Sequence, residues 1–477
     1  MSSLKQQTFF GVFWSAVERF SVQGVQFILS LVIARQLLPS DYGLIAMLSI
    51  FMAIAQCFIN SGFSNALIQK QGRTYTDYST VFYFNIVVGV LMYLLLIIVS
   101  PAISAFYEQP ILKDIIIWIG LNLVISSFAT VQRAILVIKL DFKKQAFISL
   151  ISVLISGSVA VYLALNGYGV WTLVVQDLLN AFINTLLLWI TSKWHPLLLF
   201  SISSFKELFS FGSKLLIGGL LHTIYTNIYT LIIGKVFPIR ELGLYSKAST
   251  LSQYPSINIT GILDRVLYPV LCRLQNDNHT LTDKFYLFIR LIAFLVFPLM
   301  IGLAVLSEPL IKLLLTDKWI GVVPYMKILC VAYMWDPIMR MSWNLLNVKH
   351  RSDYSLKSEI IKKILAIIIL IVSIPLGIKA MCWGLFLYSL CDLIIILQFT
   401  QKILPDVNIT NHIKNLFPII LKSFLMGLIV LICVHYITNE FFQLIGGFIV
   451  GILSYILLSW LFDKKELVYF FNLIKKS

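Results

Sequence analysis

Fourteen unbroken apolar stretches run almost end to end through this chain, at residues 9–34, 43–64, 79–105, 111–132, 146–166, 169–191, 210–234, 248–271, 285–306, 321–347, 355–377, 380–400, 415–437 and 441–462. A membrane span needs roughly 20 apolar residues. In hydrocarbon every backbone N–H and C=O must be satisfied by protein, which leaves helices or closed barrels. Barrel strands read as short alternating segments; these runs are continuous, so helices are expected. Only 12% of residues are charged, about half the share in soluble domains, so the chain has too little polar surface to cover itself in water. The expected fold class is an all-α integral membrane protein of about 14 transmembrane helices.

A net charge of +15 suggests a nucleic-acid partner until its distribution is read. Lys and Arg gather at the N-terminus, the even-numbered connections with their flanks, and the C-terminal tail. These places hold 25 of the 37, Lys362 and Lys422 counted among them, against eight in the odd-numbered connections. Cationic loops stay in the cytoplasm, so both termini are expected there and no nucleic acid is implied. The first stretch contains Glu18 and Arg19 and lacks a small-residue cleavage site, so it reads as helix one rather than a signal peptide. The six cysteines fall in or beside spans, which implies neither disulfides nor a metal site.

An internal repeat organises the spans. "LLPSDYGLIAM" (37–47) and "VFPIRELGLYSKA" (236–248) each follow a long apolar run, turn on a proline and resume at acid-x-Gly-Leu. Phe10-Gly11 and Phe211-Gly212 open the preceding runs at a matching offset. Helices one to six (1–200) and seven to twelve (201–402) thus read as two parallel repeats, with two further helices and a tail at 403–477. Six-span lobes related by an axis along the membrane normal are an alternating-access design. Asp41 and Glu241 lie where an acid caps a helix start. Gly43 and Gly243 permit close helix packing. These four are expected to be structural.

Charges cost about 2.5–3.5 kcal/mol at the bilayer centre, so their placement is informative. At about 100° per residue, Ser15, Arg19, Gln23, Gln26 and Ser30 share one face of helix one. Tyr254, Asn258 and Arg265 share a face of helix eight, and Asp336, Arg340 and Trp343 a face of helix ten. The arginines suit a phosphate group, and the aromatic rings suit sugars. The cavity residues expected are Arg19, Gln23, Gln26, Tyr254, Asn258, Arg265, Arg340 and Trp343. Ion pairing between helices is the competing account of the arginines. Asp177 in helix six and Asp392 in helix twelve have no basic neighbour on their own helices. They are candidates for binding a coupling cation, H+ or Na+, or else inert hydrogen-bonded carboxyls. No catalytic residue, metal or other cofactor is expected.

Six segments in order, "LLPSDYGLIAM" (37–47), "SGFSNALIQKQ" (61–71), "DYSTVFYFN" (77–85), "LDFKKQA" (140–146), "GYGVWTLVVQ" (167–176) and "IIGKVFPIRELGLYSKA" (232–248), resemble the polysaccharide transporter family. These are the O-antigen, capsule and colanic-acid exporters of the multidrug/oligosaccharidyl-lipid/polysaccharide flippase superfamily. The resemblance implies flipping of an undecaprenyl-diphosphate-linked oligosaccharide across a bacterial cytoplasmic membrane. It also implies membrane lipids, a polysaccharide polymerase and export proteins as partners. Family members hold the lipid diphosphate in a cationic cavity, whereas acids outnumber arginines in these spans. A cation-coupled drug or metabolite antiporter on the same fold is the alternative. A membrane glycosyltransferase is disfavoured by outer loops shorter than about twenty residues.

Overall fold

The computed structural model describes residues 21–60, 63–192 and 194–462, apart from the side chains of 65, 210, 211, 214, 215 and 262–266. Among the described residues all regular structure is helical. Helix α1 (21–36) and α2 (Pro39–Asn60) are followed by the short α3 (Phe63–Gln69) and the long α4 (Tyr75–Tyr107). Next come α5 (Ile111–Ser127), α6 (Thr130–Ile138), α7 (Phe142–Leu165), α8 (Trp171–Thr191) and α9 (Ile202–Val236). The chain continues through α10 (Ile239–Arg273), α11 (Asn278–Val305), α12 (Ser307–Leu315), α13 (Val322–Tyr333) and α14 (Asp336–Val348). It ends with α15 (Ser352–Ser373), α16 (Ile378–Gln401), α17 (Ile409–His435) and α18 (Glu440–Phe462). Helices occupy the described part of every apolar stretch. Among the described residues nine helices are long and apolar enough to cross a membrane, or ten if α5 and α6 are one bent span.

The structure shows why some spans fall outside that count. Helices α5 and α6 meet at 43°. The Phe128 carbonyl at the break is capped by Trp189 Nε1 at 3.0 Å, which meets the requirement that a broken span re-satisfy its backbone. Helices α13 and α14 are interrupted at Met334–Trp335, with Pro337 in the first turn of α14. Proline has no N–H to give and crowds the carbonyl four residues back, which favours the break here, although α4, α10, α11 and α17 run unbroken through internal prolines.

The chain divides into two compact units, 1–243 and 244–477. In the first, α4 packs on α5, α7 on α8, α5 on α8, and α2 on α9. A tight aromatic cluster at one end holds Phe63, Phe82, Trp194 and their neighbours. In the second unit α13, α14 and α15 pack on α16, and α17 packs on α11 and α18. Gly427 and Gly447 allow those last contacts: a Cβ on Gly427 would strike Ile301 of α11 at 2.7 Å, and one on Gly447 would meet Val434 of α17 at 3.1 Å. The outer faces of α4, α15, α17 and α18 carry exposed Ile, Leu and Phe, such as Ile98, Ile371 and Phe448, as a lipid-facing surface requires.

Two basic residues counted as cytoplasmic flank are buried instead. Lys362 lies ten residues into α15, and Lys422 thirteen residues into α17, at 5% and 2% exposure. At 1.5 Å per residue Lys422 stands about 20 Å from the start of its helix, so neither contributes to loop charge.

Candidate functional site

The repeated turns come together within the first unit. A Cβ on Gly43 would run into the carbonyl oxygen of Ile239, and one on Gly243 into the carbonyl oxygen of Pro39. Each turn thus presses its glycine against the first residues of the helix that follows the other turn. Both obstacles are backbone, so no side-chain rotation would make room. At the start of α2, Leu38 N–H donates to Asp41 Oδ2 at 2.9 Å. The second turn differs at this point: Pro238 occupies the corresponding position and has no N–H to donate. Glu241 lies 3.8 Å from Arg240 instead. Gly167 and Gly169 adopt left-handed φ of 77° and 54°, and a Cβ on Gly169 would stand 3.5 Å from Asp41 Oδ1. Segments 37–47, 167–176 and 232–248 therefore share one structural knot.

Two more of the family-like segments build the opposite end of this unit. Thr74 and Asp77 form a capping box at the start of α4. Lys70 bridges Asp77 at 3.1 Å and Glu207 at 2.8 Å. Arg73 Nε and Nη2 each donate at 2.8 Å, to the carbonyls of Leu67 and Ile68 at the end of α3. Ser79 and Thr80 accept from the amides of Leu197 and Ser201. Lys70, Asp77 and Glu207 were not singled out from sequence. The cue available was the Thr-x-x-Asp spacing of a capping box.

Polar side chains of α8 bond to its neighbours. Asn122 Nδ2 donates to Asp177 Oδ2 at 2.5 Å, Arg133 reaches Asn184 at 3.2 Å, and Thr185 donates to the Ile125 carbonyl at 3.2 Å. These bonds join α8 to α5 and α6 along much of its length. Asp177 is half-buried and its located partner is a neutral amide. It is an acid inside a span with no cation within ion-pair distance among the described residues.

Asp392 is different, and the expectation of an acid without a basic neighbour is corrected here. Lys362 Nζ lies 3.1 Å from Asp392 Oδ1 and 2.5 Å from Glu359 Oε1. Lys363 lies 3.7 Å from Glu359. The cluster is two cations against two acids. Thirty residues separate Lys362 from Asp392, so inspection of helix twelve alone could not find the partner.

The remaining expected site residues are placed unevenly. Arg19 and Glu18 lie outside the described residues, as do the side chains of Asp264 and Arg265. Gln23 is half-buried and Gln26 exposed on α1. Tyr254 and Asn258 are half-buried on α10. Asn258 spends its Nδ2 on the Tyr254 carbonyl at 2.9 Å, while its Oδ1 is buried without a hydrogen-bond donor among the described residues. On α14, Arg340 is exposed, with its guanidinium 4.8 Å from the Trp343 ring centre.

A helical membrane protein with acids, amides and a stacked arginine held inside its spans has the build of a transporter. Its fold is similar to that of the lipid II flippase MurJ in an inward closed conformation, with a TM-score of 0.75 at 16% identity over 95% of this chain and 99% of that one. The chain belongs to the family of polysaccharide biosynthesis proteins, whose model matches residues 32–324. It is 26% identical to the lipopolysaccharide biosynthesis protein WzxC of Escherichia coli K12 over 367 residues, 76% of this chain and 75% of that protein. It is 25% identical to the teichuronic acid biosynthesis protein TuaB of Bacillus subtilis 168, over 74% of each.

Proposed function

We propose that this chain flips a lipid-linked oligosaccharide repeat unit, carried on undecaprenyl diphosphate, across the bacterial cytoplasmic membrane by alternating access. The observation that carries the reading is the family match over residues 32–324 on a fold shared with a lipid flippase. In this proposal Arg340, stacked on Trp343, binds the diphosphate together with Arg19 and Arg265. Gln23, Gln26, Tyr254 and Asn258 contact the sugars. Both termini are cytoplasmic, as the positive-inside distribution supports. A polysaccharide polymerase and export proteins receive the flipped unit.

Transport is proposed to be coupled to H+ or Na+, with Asp177 binding the ion. Asp177 is preferred because its located partner is the neutral Asn122, whereas Asp392 already faces Lys362. The test is reconstitution in liposomes with fluorescent lipid-linked oligosaccharides, read for translocation with and without each ion gradient. Translocation that needs the protein and falls in Arg340→Ala supports the reading. Failure to move any lipid-linked glycan, with uptake of small cationic drugs instead, would replace it with an antiporter. Gradient dependence unchanged in Asp177→Asn would remove Asp177 from the coupling role.

A further inference from the structure

A groove of about 570 Å³ opens between α15 and α16 in the second unit, lined by Ile361, Ile395, Gln398, Phe399, Gln401 and Lys402. Its lining is graded. Ile361, Ile395 and Phe399 make the apolar floor, and Gln398, Gln401 and Lys402 make the rim at the end of α16. Helix α15 leaves and α16 returns to the same side of the membrane, so the rim stands level with the start of α15. Lys357 is one turn before Ile361 there, on the same face.

The rim is cationic. Lys357 and Lys402 are both exposed, and neither makes an ion pair among the described residues. The Lys402 ammonium is held over the rings of Phe399 at 5.0 Å and Tyr354 at 5.9 Å. Arg351 is already committed, with its guanidinium bidentate to Asp353 at 2.8 Å. Beyond the groove lining, exposed Ile364 and Ile368 continue the Ile361 face of α15 toward the membrane interior. Cations and amides at one end with an apolar track at the other match an amphiphile with an anionic head. The charge distribution along the chain places this rim at the cytoplasmic leaflet, where basic pockets between transmembrane helices take up anionic head groups.

We infer that this groove is a binding site for an anionic glycerophospholipid of the bilayer, with its phosphate between Lys357 and Lys402 and an acyl chain along Ile361, Ile364 and Ile368. The volume suits the occupant. It is in the range of pockets for ligands of a few hundred daltons, enough for a phosphoglycerol head and the first methylenes. A glycan of several sugars with its diphosphate is too large.

The test is native mass spectrometry of the full chain in mild detergent, titrated with phosphatidylglycerol or with phosphatidylcholine of the same acyl chains. The wild type should retain one phosphatidylglycerol per chain under conditions that strip phosphatidylcholine. Lys357→Gln with Lys402→Gln should weaken that retention by roughly 5–30-fold, and the double arginine replacement should preserve it. Ile361→Trp fills the floor with both cations intact and should also lower retention, which separates loss of the groove from loss of charge. Size-exclusion profiles in the same detergent identify the folded variants. Equal retention of both lipids by the wild type would overturn the inference. So would full retention in both the double-glutamine and Ile361→Trp proteins. Displacement of phosphatidylglycerol by equimolar undecaprenyl phosphate would also overturn it, by assigning the groove to a prenyl carrier.

Discussion

The Lys362–Asp392 contact supports a quantitative prediction. Both residues are buried, with 6% of the Lys362 side chain and 11% of the Asp392 side chain exposed, and the charged atoms are 3.1 Å apart. Lys362→Met removes the cation and leaves Asp392 in place, a change that costs about 3–5 kcal/mol when a buried pair loses one member. Asp392→Asn should cost less, about 1–2 kcal/mol, because Lys362 keeps Glu359 at 2.5 Å and Glu359 reaches solvent. The double replacement Lys362→Met with Asp392→Asn removes both buried charges and should cost no more than about 2 kcal/mol. The coupling free energy should therefore be at least about 2 kcal/mol. The assay is unfolding in mixed micelles with rising SDS, followed by tryptophan fluorescence, on all four proteins. If the two single losses simply add in the double variant, the pair does not interact and the account of Asp392 as a neutralised acid is wrong. Ion dependence of transport that vanishes in Asp392→Asn would refute the assignment of coupling to Asp177 from a different direction.

Further outcomes follow from the same geometry. Gly43→Ala and Gly243→Ala should each lose about 1–3 kcal/mol through overpacking against backbone, seen as a lower unfolding temperature. Gly218→Ala, where nothing among the described residues lies within 4 Å of the added carbon, should be neutral or slightly stabilising; equal behaviour of all three would sink the interlocked-turn interpretation. Lys422 Nζ is buried with no hydrogen-bond partner among the described residues, so Lys422→Met should raise stability by about 1–3 kcal/mol, and a loss of stability instead would mean that a partner holds the ammonium. Hydrogen bonds from Arg351 hold the Asp353 carboxyl down at about 2. A depressed carboxyl stabilises above its unfolded value of about 3.9 and loses that contribution as pH falls toward 2. Amide exchange at the start of α15 should thus stay protected at pH 4 and open below pH 3, with Arg351→Ala moving the opening up toward pH 4.

The motif segments show where reading from sequence reaches its limit. "LLPSDYG" and "VFPIRELG" are visible as a repeat because both must stop one helix and start another, and that chemistry is local. That Gly43 meets the Ile239 carbonyl and Gly243 the Pro39 carbonyl is not visible, because the contacts join positions 196 and 204 residues apart. The same holds for Asp177, whose isolation from bases on its own helix is readable, and for Asn122, its actual partner, 55 residues away. Asp392 reads the same way and was resolved oppositely, by Lys362 on a neighbouring helix.

The sequence alone determined that this chain is a helical membrane protein. Hydrocarbon imposes its requirement on each segment separately: length, apolar character and internal hydrogen bonding are all properties of consecutive residues. Charge asymmetry and the repeat of turn signals are likewise linear, and they gave an expected orientation and a plan of lobes. Which buried charges are free to bind something and which are already spent was decided only by tertiary structure. A carboxylate 3.1 Å from an ammonium and one 2.5 Å from an amide look alike in sequence. Their electrostatics depend on what the neighbouring helix places beside them.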